Sequence, residues 1–160
     1  MHPLELADLP IAETGMLVRR SARDVYNAFV DPNVTTQFWF TRSSGRLVAG
    51  REVEWVWDMY NFSVMVQVVK LDEDRQIVVT WPGPHGSTTV QWDFEPLSDS
   101  ETFVTVRNFG FQGTGDEIVQ QALGSVEGFS IVLAGLKAYL EHGIRLNLVA
   151  DRFPSESTKP

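Results

Sequence analysis

The 160-residue sequence predicts a single α+β domain in which a curved six-stranded antiparallel sheet wraps around one long C-terminal helix, with two short helices between the first and second strands. Three observations carry this. Between residues 51 and 111 apolar side chains recur at every second position, in five runs separated by turn sequences, and period two marks strands with one buried face. From residue 116 to 142 the spacing changes to three and four, an amphipathic helix on the order of 40 Å long. The links between strand runs are too short for parallel crossovers, so the strands form an antiparallel meander.

Each element has its own signal. Residues 11–20 can be extended and form the first strand. Ser21-Ala22-Arg23-Asp24 opens a helix over 22–30, with the Ser21 hydroxyl placed to take a free backbone N–H and Asp24 beside the positive helix end. Asp31-Pro32 stops it and starts a second short helix that reaches toward Phe38-Trp39-Phe40, since Pro suits a first helical position. In the run from residue 51, Val53, Trp55, Trp57 and Met59 alternate with Glu52, Glu54 and Asp58. Further strands follow over 62–71, 76–81, 88–95 and 102–111, punctuated by Asp72-Glu73-Asp74, by Pro82-Gly83-Pro84-His85-Gly86 and by Pro96-Leu97-Ser98-Asp99-Ser100. In the long helix Val119, Ala122, Leu123, Val126, Phe129, Leu133, Leu136 and Leu140 form the apolar stripe, Asp116 and Glu117 sit in the first turn, and His142-Gly143 closes it. Neither sheet nor helix can bury its apolar side alone, so the helix must lie across the concave face, with the short helices filling the remaining gap.

Composition narrows the function classes. Thirteen Lys plus Arg against 21 Asp plus Glu gives a formal charge of −8, which argues against nucleic acid as a partner. There is no cysteine, which excludes disulfides, thiolate metal sites and a cysteine nucleophile. The N-terminus does not read as a signal peptide and no stretch approaches a membrane span, so the working compartment is cytoplasmic. One domain over residues 1–150 followed by a flexible tail over 151–160 is the expected organisation.

The unusual component is aromatic, five Trp and ten Phe. Trp55, Trp57 and Met59 on one strand and Val90, Trp92 and Phe94 on another share the inward parity, with Trp39 and Trp81 near the sheet ends and Phe129 and Leu133 facing them from the helix. An indole has an apolar body and one N–H donor, so several around one space suit a flat or amphiphilic ligand. The same set could also close as a dry aromatic core. Asn108 shares parity with Val104 and Val106; its buried amide needs partners, supplied by a ligand, by backbone or by water. Gly124, Gly128 and Gly135 each cost about 1 kcal/mol relative to Ala in a helix. Gly124 and Gly128 share a face, where they either admit a close neighbour or leave volume above the sheet. Acid–base groups are sparse: His2, His85 and His142 stand apart, with no metal-ligand spacing and no Gly-x-Ser-x-Gly elbow. Neither a metal nor a cofactor is implied. The loop 110–115 reads as a hinge and helix cap at one end of the space.

The segments Ser21-Ala22-Arg23-Asp24-Val25-Tyr26-Asn27-Ala28-Phe29, Trp39-Phe40, Val79-Thr80-Trp81 and Leu133-Ala134-Gly135-Leu136-Lys137-Ala138-Tyr139-Leu140-Glu141-His142-Gly143 resemble the helix-grip fold of the START-like, or SRPBCC, superfamily, in the branch related to the C-terminal domain of the activator of the 90-kDa heat-shock protein ATPase. The resemblance spans about residues 11–143. It implies a hydrophobic cavity between helix and sheet, and hence a hydrophobic or aromatic small molecule, lipid or polyketide-like, as partner. It also leaves open a polyketide cyclase or aromatase-type enzyme and a co-chaperone-like module that stimulates a heat-shock-protein ATPase. Residues 144–149, with alternating Leu, suggest pairing in a homodimer or folding back on the same domain.

Overall fold

The alternating segments pair into one antiparallel sheet in the computed structural model, which describes residues 2–154. In chain order the elements are β1 (Ala12–Val18), α1 (Ala22–Val30), α2 (Pro32–Thr35), β2 (Arg42–Ser43), β3 (Glu52–Trp57), β4 (Phe62–Asp72), β5 (Gln76–Gly83), β6 (Gly86–Ser98), β7 (Glu101–Phe109), α3 (Gly115–His142) and α4 (Leu148–Arg152). The strands lie in the order β1-β7-β6-β5-β4-β3-β2. The sheet thus has seven strands where six are expected. The additional one, β2, is two residues opposite Trp55 and Val56, extended by bonds from the Thr41 N–H to the Val56 carbonyl and from the Ser44 N–H to the Glu54 carbonyl. Two residues are too short to carry an alternation. The expected turn over 82–86 narrows to Pro84-His85, because Gly83 and Gly86 still pair across the hairpin.

The caps form as the sequence predicts. The Asp24 N–H donates to the Ser21 hydroxyl, and the Asp31 carboxylate accepts from the Asn33 N–H with Pro32 in the first turn of α2. At the start of α3, Thr114 and Glu117 make a reciprocal capping box, and Gly143 ends the helix at φ 66°, a left-handed conformation that favours glycine.

α3 lies along β1 and β7. Its last turns are fastened by polar groups: Lys137 Nζ donates to the Leu17 carbonyl and to Glu141, and the Glu141 carboxylate also accepts the Arg19 N–H, each at 2.7–2.8 Å. Val132, Leu133 and Leu136 fill the concave face beneath, and a Cβ on Gly135 would stand 3.3 Å from the Phe38 carbonyl, so this glycine admits α2's trailing segment. Towards its start, Ile118, Ala122 and Val126 form a second cluster with Ala12, Phe111 and Leu6, and the Leu4 carbonyl lies where a Cβ on Gly115 would stand. Leu123, assigned to the apolar stripe, is exposed. By length and composition α3 could cross a membrane, contrary to the expectation that no stretch approaches a span. Ile118 of this helix is buried in the second cluster, and Phe129, Val132, Leu133 and Leu136 are buried in the main core.

The C-terminal segment also differs from expectation. Residues 148–152 are helical, Val149 packs on the main core, and the Tyr60 hydroxyl donates to the Val149 carbonyl, so the segment folds back on its own domain. The folded part therefore continues through Phe153, whose ring meets Tyr60 edge-on at 6.2 Å, and the tail expected over 151–160 is ordered at its start. Residues 155–160 lie outside the described residues.

Burial pushes the Glu141 carboxyl up, but the bonds from Lys137 and the Arg19 N–H outweigh it and hold the group below its ordinary value of 4.5. Between those two values the unfolded chain binds more protons than the folded one. Glu141 therefore stabilises fully above about pH 4.5, and that contribution is lost as pH falls through the folded value. Glu141→Gln should cost about 1–2 kcal/mol at neutral pH and flatten the acid limb of the stability profile, read from urea midpoints against wild type.

Candidate functional site: a cavity under the long helix

Gly124 and Gly128 sit one turn apart on α3, and a Cβ built on either meets nothing within 4 Å. Below them is a cavity of about 570 Å³, within the range of small-molecule sites. Its floor is Trp57, Val64 and Trp81 from β3, β4 and β5; its roof is Gly124, Ser125, Gly128, Phe129 and Val132 of α3. Pro82, Gly83 and Pro84 of the hairpin tip close one side, and Tyr60, Phe62, Val149, Arg152 and Phe153 close the other. Of the expected alternatives for the paired glycines, the structure takes open volume.

Four of the sequence-predicted residues line this space: Trp39, Trp57, Trp81 and Phe129. Trp81 lies parallel to Phe129 with ring centres 5.9 Å apart, a flat apolar wall. Trp39 is the hub, edge-on to Phe129 at 5.8 Å, to Trp57 at 6.1 Å and to Trp81 at 6.2 Å. Trp55, Trp92, Phe94 and Leu133 point inward as predicted but stand behind the lining as core. Trp55 is stacked on Phe40, Trp92 is edge-on to Phe129, and Phe94 packs between Tyr26 and Phe29. The Trp92 indole N–H is buried without a hydrogen-bond partner among the described residues.

Met59 is a correction. β3 ends at Trp57, residues Asp58–Tyr60 make a 3-10 turn, and the side chain is exposed beside the Thr41 hydroxyl, away from the cavity. The turn is set by Asp58, whose carboxylate takes both the Nε and an Nη of Arg42 at 3.0 Å while its N–H donates to the Thr41 hydroxyl. These bonds pull the chain out of the alternation one residue before Met59.

Asn108 is inward and buried, with protein partners for its whole amide. Its Nδ2 donates to Thr88 Oγ1 at 3.0 Å and to the Thr89 carbonyl at 2.8 Å, and its Oδ1 accepts from Ser125 at 2.9 Å. Trp81 Nε1 donates to the same Thr88 hydroxyl at 3.1 Å. Asn108 is thus one step removed from the cavity, joining Ser125 in the roof to Trp81 in the floor. The site's two charged liners are Glu127 of α3 and Arg152 of α4, paired with each other at the mouth. Hydrogen bonding to Arg152 holds the Glu127 carboxyl below its ordinary range and raises the guanidinium in turn. A second pair, His85 and Glu117 at 3.0 Å, ties the hairpin tip to the start of α3.

Sequence reasoning missed Tyr60, Phe62, Glu127, Val149, Arg152 and Phe153. Val149, Arg152 and Phe153 were detectable as a three-and-four spacing within one helical turn, but read as alternation the segment suggests a strand.

Replacing Asn108 by Ala should destabilise the fold by about 2–3 kcal/mol in chemical denaturation, because Thr88, the Thr89 carbonyl and Ser125 lose partners in a buried place. Trp81 fluorescence should shift at the same time.

Residues 19–141 match the family model described as Activator of Hsp90 ATPase homolog 1-like protein. No curated protein matches the chain. Among solved structures, a Staphylococcus saprophyticus protein is 31% identical, with 86% of this chain and 96% of that one aligned at a TM-score of 0.74. The Aha1 dimer from Colwellia psychrerythraea is 18% identical over 84% of this chain and 98% of that one, at 0.70. DynU16, from the dynemicin biosynthetic locus, is 20% identical over 84% of this chain and 48% of that one, at 0.69. With the sheet, the gripping helix and this match over most of its length, the chain belongs to the family of Activator of Hsp90 ATPase homolog 1-like proteins, a START-like branch of the helix-grip fold.

Proposed function

We propose that the chain binds an apolar or aromatic small molecule, of lipid or polyketide-like character, in the cavity between α3 and the β3–β5 side of the sheet. The observation that carries this reading is the open space at Gly124 and Gly128. Each glycine weakens the helix by about 1 kcal/mol relative to Ala, and neither admits a neighbouring element. What they gain is cavity volume, over a wall made of the parallel Trp81 and Phe129 rings. Each 100 Å² or so of apolar surface removed from water there contributes about 2.5 kcal/mol before the cost of ordering the ligand.

The hydrogen bonds around Asn108 support the reading from another direction. They pair Ser125 of the roof with Asn108 and fix Trp81 in place, so that part of the wall is pre-organised. Dimerisation is a separate matter: the Colwellia psychrerythraea structure is a dimer, whereas the 144–149 segment here is committed at Val149 to its own domain.

Fatty acids, flavonoids and aromatic polyketides titrated into the protein should include at least one that quenches tryptophan fluorescence saturably. Gly128→Leu should weaken that ligand tenfold or more while leaving thermal stability equal or higher by up to about 1 kcal/mol, since the new side chain enters open space and improves helix propensity. No saturable response in the panel, or a Gly128→Leu protein that binds as wild type does, would overturn the reading.

A further inference from the structure

Three sets of side chains at the cavity bear on what its ligand must carry. The first is Arg152. Its Nε is bonded to Glu127, and among the described residues its two Nη groups have no protein acceptor. The guanidinium carbon sits 4.3 Å from the centre of the Phe153 ring, itself part of the wall, which fixes the plane of the remaining donors. The second is the pair of lining indoles, Trp39 and Trp57. Neither N–H has an acceptor among the described residues, in contrast to Trp81, but neither is sealed from water as the Trp92 N–H is, so they add apolar wall and no buried demand for a partner. The third is Glu127, whose charge Arg152 already neutralises.

We propose that the cavity selects an anionic amphiphile, an apolar or aromatic carboxylic acid whose carboxylate is received on the free edge of Arg152. This rests on the ligand-binding reading above and adds to it the chemistry of the ligand's polar end. Among the described residues the Nη groups of Arg152 are the charged donors of the lining without an acceptor, so a ligand that brings oxygen acceptors suits them. An amine or other donor-ended ligand offers the guanidinium no acceptor. A guanidinium edge and a carboxylate match in two parallel hydrogen bonds, and the exposed Glu127 can yield its place to water at little cost. Val149, Arg152 and Phe153 all follow residue 141, where the family match ends. The preference is therefore a property of this chain's C-terminal segment, set upon a cavity whose frame lies largely within the matched residues.

The test compares lauric acid and naphthoic acid, each with its methyl ester, near neutral pH where the acids are ionised, by fluorescence titration and calorimetry. Binding of either ester reports the cavity, and the ratio of acid to ester affinity reports Arg152. Wild type should prefer the acid by about threefold to tenfold, the range for a charge-assisted pair at a half-exposed site. Arg152→Gln should bring the ratio to one, Arg152→Lys should keep part of it, and Glu127→Gln should raise it by removing the competing carboxylate. If an ester binds but the acid binds no better, or if the preference survives Arg152→Gln, the assignment to Arg152 is wrong while the cavity reading stands. If a loosened C-terminal segment were the only effect of Arg152→Gln, acid and ester would weaken together with the ratio unchanged, which also overturns it. Binding of neither acid nor ester overturns both.

Discussion

A seven-stranded sheet is wider than the single helix laid across it. With strands about 4.8 Å apart the sheet presents a face on the order of 30 Å wide before it curves, whereas a helix with its side chains covers about 10–12 Å. α3 follows β1 and β7, so the concave surface of β3, β4 and β5 must be covered by something else. Phe29, Phe38, Trp39 and Phe40, brought in by the two short helices, cover part of it. The remainder is the cavity. It is the residue of a geometric mismatch that curvature reduces and aromatic side chains from α1 and α2 fill only in part.

The aromatic set divides according to that mismatch. Where α1 and α2 reach, the rings pack as core: Phe40 on Trp55, and Phe29 against Trp92 and Phe94. Where they reach only by the edge of a ring, the rings become wall, as in Trp81 with Phe129 and in Trp57. The inward tryptophans therefore divide between cavity wall and packed core. Parity along a strand says that Trp55 and Trp57 face the same way, and it does so correctly. It cannot say that Phe40 stacks flat on Trp55 while Trp57, met edge-on by Phe40 and Trp39, keeps a side on the cavity, because that depends on contacts between segments far apart in sequence.

The same distinction explains the rest of what was legible. The seven-strand sheet apart from β2, the caps at Ser21, Asp31 and Gly143, and the long helix follow from local periodicity and capping chemistry, which each segment carries by itself. β2 consists of two residues defined by their partner, so no local pattern announces it. Met59 continues an alternation that a non-local ion pair between Arg42 and Asp58 interrupts. The three glycines of α3 look alike in sequence and differ in structure, since Gly135 faces the Phe38 backbone while Gly124 and Gly128 face open space. For the C-terminal segment, alternating Leu suggested a strand, while the Tyr60 hydroxyl and the Glu127 carboxylate, distant in sequence, receive it as a helical turn.

Two kinds of interaction hold α3 and α4, and the difference between them matters for access to the cavity. The end of α3 is fixed by the part-buried Lys137 and Glu141, which also engage the backbone of Leu17 and Arg19; loss of either leaves part-buried polar groups without these partners. α4 is held by an ion pair between two half-exposed side chains, a tyrosine bond to backbone carbonyls and the packing of Val149 and Phe153. Exposed pairs contribute little to stability because water replaces each partner readily. Low-stability elements are the ones that open first, and opening of residues 148–153 would uncover the mouth without disturbing the grip of α3 on the sheet. The grip of α3 thus lies within the family-matched residues, whereas one side of the cavity mouth is built from the residues that follow them.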